Sequence, residues 1–370
     1  MNRLAAITDA GTSIWLDDLS QARFIDPSAE HSLDRLITES EVRGVTTNPS
    51  IFAAALSNSN LYSAAFERLK RSGATVEQAV REVTTNDVRT ACDLLTGVYE
   101  SSNGRDGRVS IEVDPRSAHK TAESIAEARE LWKIVDRKNL FIKVPATLEG
   151  LPAIRTLISE GISVNVTLIF SIERYAAVHD VFTSGLEDRV KAGLPVTGIE
   201  SVASLFVSRV DSEVDRQIDA IGSADAKTLR GRAAIANARL VYERFEVLTS
   251  SSRWKALADL GATKQRPLWA STGVKDKSYG DTRYVVELVA PETVNTMPEA
   301  TLLAVKDHGV VRGNAIAGTY ETARADLDAL SKIGISYDQV VSHLETEGVT
   351  KFEDAWVGLL SSVTKLMKAD

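Results

Sequence analysis

The sequence predicts one (β/α)8 barrel that carries extra helices and a helical carboxy-terminal segment. Short runs of apolar and β-branched residues alternate with longer stretches of helical spacing, which is typical of βα units around a parallel sheet. Eight such runs occur within the 370 residues, and a barrel of this kind needs that many strands in a chain of about this length. A doubly wound open sheet is disfavoured because no glycine-rich phosphate turn follows the first run.

The expected strands are short and the expected helices lie between and after them. The predicted strands are residues 13–19, 44–47, 108–113, 140–144, 162–169, 201–207, 266–271 and 284–289. Helices are predicted at 118–136, 150–159 and 172–192, with at least one more in 70–107, about two in 210–262, and helix throughout 299–370 apart from a turn at Gly334. No linker or internal repeat divides the chain, so residues 1–370 are expected to form a single domain rather than two.

Composition and charge limit the classes of partner. The net charge of -8 argues against a nucleic-acid-binding protein, which usually needs a basic face. The single cysteine, Cys92, excludes an intramolecular disulfide and a thiolate metal cage, and it suits a reducing cytosol. Residues 1–12 contain no apolar signal segment, and no apolar run approaches the length that spans a membrane. We therefore expect a cytoplasmic protein with no membrane partner.

One lysine stands inside the fourth predicted strand, in the run LFIKVPA. Because side chains alternate along a strand, Phe141 and Lys143 share one face while Ile142 and Val144 share the other. Lysine is rarely buried without a partner, and desolvation favours its neutral amine, which can attack a carbonyl and form a Schiff base. A lysine paired with a nearby carboxylate for structural reasons is the alternative.

Polar side chains share one face of several other predicted strands, towards the strand ends, where a barrel keeps its chemistry. The residues on this face are Trp15 and Asp17, Thr46 and Asn48, Ser110 and Glu112, Ser163, Asn165 and Thr167, and Ser204 and Phe206. Together with the lysine they supply an amine, two carboxylates, amides and hydroxyls, the groups that a Schiff-base aldol reaction needs. A purely structural polar layer inside the barrel is the competing interpretation.

A metal-dependent reaction is not expected, and neither is a bound cofactor. The five histidines lie outside the strand motifs, and their spacing suggests no pair of metal ligands. They are His31, His119, His179, His308 and His343.

Six segments carrying these polar residues closely resemble transaldolases, in the same order along the chain. The segments are SIWLDDL with Asp17, GVTTNPSIF with Asn48, VSIEVDP with Glu112, LFIKVPAT with Lys143, NVTLIFS with Asn165 and Thr167, and SLFVSR with Ser204 and Arg209. Looser similarity continues to about residue 310. The segments ASTGVKDKSYGDTRYV and APETVNTMPEATL are similar to the last two strands of the longer bacterial type.

The resemblance implies a cofactor-free transferase of the pentose phosphate pathway. Such an enzyme moves a dihydroxyacetone unit from sedoheptulose 7-phosphate to glyceraldehyde 3-phosphate, giving erythrose 4-phosphate and fructose 6-phosphate. Lys143 would form the imine with the donor, and Glu112 would move protons through a water held with Thr167. Asp17 would take the proton of the C4 hydroxyl. Asn48 and Asn165 would hold substrate hydroxyls.

Further substrate-binding positions follow from the same resemblance. Arg209 would bind a phosphate, and the alternative is a purely structural ion pair with the nearby Asp211 or Glu213. The family's second arginine after the seventh strand is missing, and Ser271 and Lys275 are the substitutes suggested here. Ser204 would anchor a hydroxyl, and an inward-facing Phe206 would keep water from the enamine.

Three other functions stay open from the sequence. A fructose 6-phosphate aldolase shares the lysine and the imine but releases free dihydroxyacetone, and such relatives are usually shorter. A phosphosugar isomerase could also use a glutamate and a lysine at strand ends. A barrel retained only for binding would not need every polar residue of the set. We expect phosphosugar substrates and a monomer or homodimer, with the insert at 21–31 as a lid or a subunit contact.

Overall fold

The computed structural model describes residues 2–57 and 59–368. Eight parallel strands close into a barrel in sequence order, which confirms the predicted fold class. The strands are β1 (Thr12–Leu16), β2 (Val42–Val45), β3 (Arg108–Glu112), β4 (Leu140–Pro145), β5 (Val164–Ile169), β6 (Ser201–Phe206), β7 (Arg266–Ala270) and β8 (Thr293–Met297). Most of these segments are buried on both faces because their outer sides pack beneath helices.

Helices connect the strands and extend the barrel at both ends. They are α1 (Arg3–Asp9), α2 (Leu33–Glu39), α3 (Pro49–Ser57), α4 (Ser59–Arg71), α5 (Val76–Leu94), α6 (Thr96–Ser101), α7 (Thr121–Val135), α8 (Gly150–Glu160), α9 (Ile172–Lys191), α10 (Ser208–Ile221), α11 (Ala224–Lys227), α12 (Ala233–Thr249), α13 (Ser252–Ala258), α14 (Arg283–Val286), α15 (Glu299–His308), α16 (Tyr320–Lys332) and α17 (Tyr337–Lys368). No helix among the described residues combines the length and the apolar character that a bilayer crossing requires.

The eighth strand was wrongly predicted at 284–289. That apolar segment contains α14 and the buried turn after it, whereas the strand is the more polar Thr293–Met297. Its polar side chains are buried because they find hydrogen bonds there. Thr293 Oγ1 lies 2.8 Å from Thr12 Oγ1, and Asn295 Nδ2 donates to the carbonyl of Tyr284 at 3.1 Å. Apolar character predicted burial correctly but not the type of element.

Other element boundaries also differ from the predictions. The first strand ends at residue 16 instead of 19, and the second is 42–45 instead of 44–47. Thr46 and Asn48 therefore lie just past a strand end. Four helices occur in or across 210–262 where about two were expected, and residues 309–319 interrupt the predicted helical tail.

The amino-terminal end of the barrel is closed by packed rings and one buried ion pair. The Trp15 and Phe141 rings lie 6.0 Å apart, and a Cβ at Gly44 would fall 2.6 Å from the Trp15 ring. Glycine at this position therefore makes room for the tryptophan. Below them, Arg266 Nη2 lies 3.0 Å from Asp106 Oδ1. Access to the barrel is consequently from the carboxyl ends of the strands.

The last helix, α17, lies across that open end. It contacts α3, α5, α10 and β5, so it reaches both sides of the barrel mouth. At Gly348 the helix comes so near β5 that a Cβ would sit 3.1 Å from Leu168 Cδ2. One turn later Phe352 is buried, with 4% of its surface exposed. The helical tail thus forms part of the wall above the barrel interior.

Candidate active site

A cavity of about 440 Å³, here called the front cavity, opens at the carboxyl ends of the strands under α17. Seven of the site residues expected from the sequence line this cavity: Asp17, Asn48, Lys143, Ser204, Phe206, Arg209 and Ser271. The cavity is also lined by Thr46, Ala270, Thr296 and Phe352, which were not expected as site residues. Glu112, Asn165 and Thr167 lie on neighbouring strands around it, and no residue of the 21–31 insert appears among the lining residues described.

Lys143 occupies the fourth position of β4 with its side chain inside the barrel. The register places it beside Glu112 on β3 and Asn165 on β5. Its Nζ lies 3.3 Å from Glu112 Oε2, donates to the carbonyl of Thr47 at 3.0 Å, and sits 5.7 Å from the centre of the Phe352 ring. The amine is thus held by one carboxylate and one carbonyl, in a site from which water is largely excluded.

Glu112 ends β3 and is almost completely buried. Burial raises the pKa of its carboxyl group to about 7, although the nearby Lys143 acts in the opposite direction. Neither carboxylate oxygen, nor the hydroxyl of Thr167, has a hydrogen-bond partner among the described residues. Because buried polar groups nearly always have partners, these atoms are positioned to bond a ligand or a water. A carboxyl group with a pKa near neutrality can both give and take a proton.

Asp17 follows β1 and faces Lys143 from the opposite side of the front cavity. Its Oδ1 accepts a hydrogen bond from Thr46 Oγ1 at 2.7 Å, and that hydroxyl lies 2.6 Å from Thr296 Oγ1 on β8. Burial raises the pKa of the Asp17 carboxyl group, while Lys143 and the Thr46 hydrogen bond partly offset the rise. The two carboxyl groups thus sit in different environments around one amine.

Two asparagines are fixed by hydrogen bonds to other elements. Asn165 donates to Ser110 Oγ at 3.0 Å and accepts from Ser204 Oγ at 2.7 Å, so it joins three neighbouring strands. Asn48 accepts from the backbone N–H of Ile51 at 3.0 Å, which caps the first turn of α3 while its side chain lines the front cavity. Both amides therefore have fixed orientations.

Arg209 is the second residue of α10, and its side chain lines the mouth of the front cavity. Its Cζ lies 4.9 Å from the centre of the Phe206 ring and 5.9 Å from that of Phe352. Its Nη1 is buried without a partner in the described part of the chain. The alternative ion pair is not formed, because Asp211 binds Ala234 and Tyr284 while Glu213 binds Arg216.

The two substitutes for the missing arginine lie in different places. Ser271 lines the front cavity with φ of 56°, a strained left-handed conformation, and its Oγ is 3.0 Å from Ser208 Oγ. Lys275 does not line the front cavity but a neighbouring depression beside Ser208. Partial desolvation and the charges of Arg209 and Lys351 lower the pKa of the Lys275 ammonium group. The positively charged side chains of Arg209 on α10, Lys275 after β7 and Lys351 on α17 therefore lie at one side of the mouth.

Two functional positions were missed for different reasons. Thr296 was missed because the eighth strand was misplaced, although the segment carrying it was noticed in the resemblance. Phe352 gave no signal, because an aromatic residue on an amphipathic helix usually packs in the core. Only the fold shows that its ring lies 5.7 Å from the Lys143 amine.

Comparisons with known proteins give matches over almost the whole chain. The model of the transaldolase/fructose-6-phosphate aldolase family matches residues 14–363. Transaldolase 2 of Streptomyces coelicolor is 58% identical over 365 residues, covering 99% of this chain and 97% of the relative. The transaldolase of Mycolicibacterium smegmatis is 56% identical over 97% of this chain and 96% of its own. The transaldolase of Thermobifida fusca is 54% identical over 99% of this chain and 98% of its own.

Proposed function

The chain belongs to the transaldolase/fructose-6-phosphate aldolase family, and on that premise we propose that it is a transaldolase working through an imine on Lys143. It transfers a dihydroxyacetone unit from sedoheptulose 7-phosphate to glyceraldehyde 3-phosphate, as in the pentose phosphate pathway. The observation that carries this proposal is the buried Lys143 amine, 3.3 Å from Glu112 and in the same cavity as Asp17.

Imine formation uses Lys143, Glu112 and Thr167. The amine attacks C2 of the ketose, and the carbinolamine then loses its hydroxyl as water. Glu112 gives that hydroxyl a proton and takes one back when the imine is hydrolysed. A carboxyl pKa of about 7 supports both roles, and the unpartnered Glu112 and Thr167 oxygens support a water held between them.

Carbon–carbon cleavage uses Asp17. Its carboxylate takes the proton of the C4 hydroxyl as the C3–C4 bond breaks, and the aldose phosphate leaves. The protonated imine accepts the bonding electrons, so a neutral enamine remains on Lys143 and no metal is needed to stabilise it. Asn48, Asn165 and Ser204 hold hydroxyls of the three-carbon unit, which their fixed orientations support.

The phosphate of each substrate binds at the cationic side of the mouth. Arg209 provides the main contact through its unpartnered guanidinium edge, and Ser271 supplies a hydroxyl beside it. Lys275 adds positive charge from the next loop, where the family has an arginine. Phe206 and Phe352, whose rings lie 6.2 Å apart, keep water from the waiting enamine.

The name of the matching family model also covers fructose-6-phosphate aldolases, which makes that activity the second candidate. A coupled assay separates the two. With fructose 6-phosphate alone a transaldolase releases little product, and adding erythrose 4-phosphate should raise turnover sharply. Equal rates with and without the acceptor would favour the aldolase. Borohydride with fructose 6-phosphate should attach a three-carbon unit to Lys143, whereas an isomerase would be left unlabelled.

The remaining expectations are proposals of the same kind. We take residues 1–370 as one domain, since α17 packs against α3 and α5 in the first half of the barrel and against α10 after β6. The protein works in the cytoplasm on free phosphosugars, as a monomer or homodimer, without nucleic acid.

A further inference from the structure

A second cavity, here called the rear cavity, lies behind Glu112 and has no part in the mechanism above. It measures about 610 Å³ and is bounded by β3 and by helices α3, α5, α7 and α17. Among its lining residues are Asn48, Thr84, Glu112, Glu127 and Trp356. Asn48 lines both cavities, so the two are separated by little more than the Glu112 and Asn48 side chains.

The rear cavity runs from the catalytic carboxyl group to the protein surface. At its inner end the Glu112 side chain is 3% exposed. At its outer end Arg116 and Glu77 form an ion pair of 2.9 Å, and their side chains are 45% and 61% exposed. Part of this volume is open to solvent; water centres can occupy about 80 Å³ of it, and one water needs about 10–15 Å³ of such space, so several waters fit.

Its walls offer hydrogen-bonding groups along the way. Apart from the ion pair of Glu112 Oε2 with Lys143, the Glu112 oxygens and the Trp356 indole N–H have no hydrogen-bond partner among the described residues, and each can bond a water. Glu127 Oε2 accepts from the backbone N–H of Asp114 at 2.8 Å, and its Oε1, 3.7 Å from Arg81 Nη2, can accept a further hydrogen bond from water. These groups can hold water along the cavity, beside the apolar side chains of Phe52, Ile111 and Leu131 that also line it.

The proposed reaction creates a need for such a route. When the carbinolamine loses its hydroxyl, the C2–O bond breaks, Glu112 donates its proton to the departing oxygen, and one water forms beside a protonated imine and a Glu112 carboxylate. Hydrolysis reverses each of these changes and consumes one water. During both steps a sugar phosphate fills the front cavity and its phosphate lies at the mouth, so that exit is closed.

We propose that the rear cavity is the path by which water leaves and reaches C2 while a ketose phosphate occupies the front cavity. This inference rests on the proposed function, because it needs an imine on Lys143. Water released towards Glu112 passes between Glu127 and Trp356 and reaches solvent at Arg116 and Glu77.

Oxygen exchange measures this passage directly. In the Asp17→Asn variant the imine forms but the C3–C4 bond stays intact, so the mouth remains occupied by fructose 6-phosphate. Each cycle of dehydration and hydrolysis in H2¹⁸O then replaces the C2 oxygen, and mass spectrometry of the ketose follows the exchange. The rate without enzyme is subtracted.

The comparison is between two substitutions on α5 added to that background. Thr84→Phe fills the rear cavity, whereas Thr90→Phe places the same ring on the exposed face of the helix. We expect Thr84→Phe to slow exchange about tenfold and Thr90→Phe to leave it unchanged. The amount of borohydride-trapped ketose on Lys143 should be the same in both, since the equilibrium is unaltered. If Thr84→Phe fails to fold, Leu131→Trp fills the cavity from α7.

The outcomes separate the two ideas. Normal trapping with undiminished exchange in the filled variant overturns the rear path and leaves the transaldolase proposal intact. The absence of any trapped adduct in the Asp17→Asn background overturns the proposed function itself. Equal slowing by both phenylalanine variants would also reject the rear path, because only one of them changes the cavity.

Discussion

The Lys143 amine on β4 faces the ring of Phe352 on α17, with 5.7 Å between Nζ and the ring centre. The same ring lies 6.2 Å from that of Phe206 and 5.9 Å from the guanidinium of Arg209. One residue of α17 thus lies beside the proposed nucleophile, the Phe206 ring and the proposed phosphate ligand. Its position over the mouth accounts for the low exposure of the amine, 4% for the residue.

Replacing Lys143 by methionine should abolish activity while leaving the fold intact. The unbranched side chain fills a similar volume, but it cannot form the imine, so we expect at least about a thousandfold loss of kcat. Steady-state kinetics and mass spectrometry after borohydride treatment measure the loss, and the far-UV spectrum reports the fold. Substantial turnover in a correctly folded variant would contradict the central role of this amine.

Glu112→Gln should change the pH dependence of both activity and stability. The native carboxyl group has its pKa raised from 4.5 to about 7, so it keeps its proton to higher pH than in the unfolded chain. Wild-type stability should therefore fall as pH rises from 4.5 to about 7 and then level off. Glutamine does not titrate, so the Tm of the variant should rise relative to that of the wild type as the pH increases over that interval.

The activity readout is independent of that comparison. Dehydration needs a protonated Glu112, so the wild-type rate of imine formation should fall above about pH 7. The rate of the Glu112→Gln variant should not show this fall. Melting curves at several pH values and single-turnover trapping check the two statements. Parallel Tm profiles for both proteins would argue against a raised pKa at this position.

Phe206→Tyr should shift the balance from transfer towards simple cleavage. The added hydroxyl can orient a water or donate a proton to the enamine, which then leaves as dihydroxyacetone. The ratio of acceptor-free to acceptor-dependent turnover of fructose 6-phosphate measures this shift. Phe24→Tyr, in the 21–31 insert and outside the front cavity, serves as the control. An unchanged ratio in Phe206→Tyr would count against a role in excluding water.

Arg209→Gln should weaken the binding of phosphorylated sugars more than the chemistry. A charge-assisted hydrogen bond contributes about 1.5–3 kcal/mol, so KM should rise roughly 10- to 100-fold, with little change for unphosphorylated erythrose as acceptor. Lys275→Gln should show a smaller rise of the same kind. Lys277→Gln removes an exposed charge from the same loop and should have no effect. An equal loss of kcat/KM for phosphorylated and unphosphorylated acceptors would contradict a role of Arg209 in binding phosphate.

Gly44→Ala should destabilise the barrel although it adds one methyl group. That carbon would lie 2.6 Å from the Trp15 ring, and forced repacking costs about 1–3 kcal/mol. Gly358→Ala is the opposite case, because nothing lies within 4 Å of its Cβ on α17. There alanine should raise stability by about 0.5–1 kcal/mol. Urea denaturation of both variants measures the difference, and equal effects would reject the packing argument.

The inner ring of candidate catalytic groups was predictable because it follows from strand periodicity. Lys143, Glu112 and Asn165 lie on adjacent parallel strands in register, so parity alone placed them on one face. The eighth strand was not predictable in this way, because Thr293 and Asn295 bond Thr12 and the Tyr284 carbonyl inside the barrel, and such polar residues leave no apolar pattern. Phe352 depends on how α17 docks, and a contact between segments so distant in sequence has no local signal.

The position of Phe352 near the end of the chain also has a consequence for biosynthesis. At about 5–20 residues per second, a ribosome needs roughly 10 to 40 s to extend the chain from Lys143 to Phe352. During that time a nascent barrel can already assemble β3, β4 and β5 around an amine that α17 has not yet covered. On the proposed mechanism, the Lys143 amine of the growing polypeptide is therefore open to cellular aldehydes and ketones until α17 has been added.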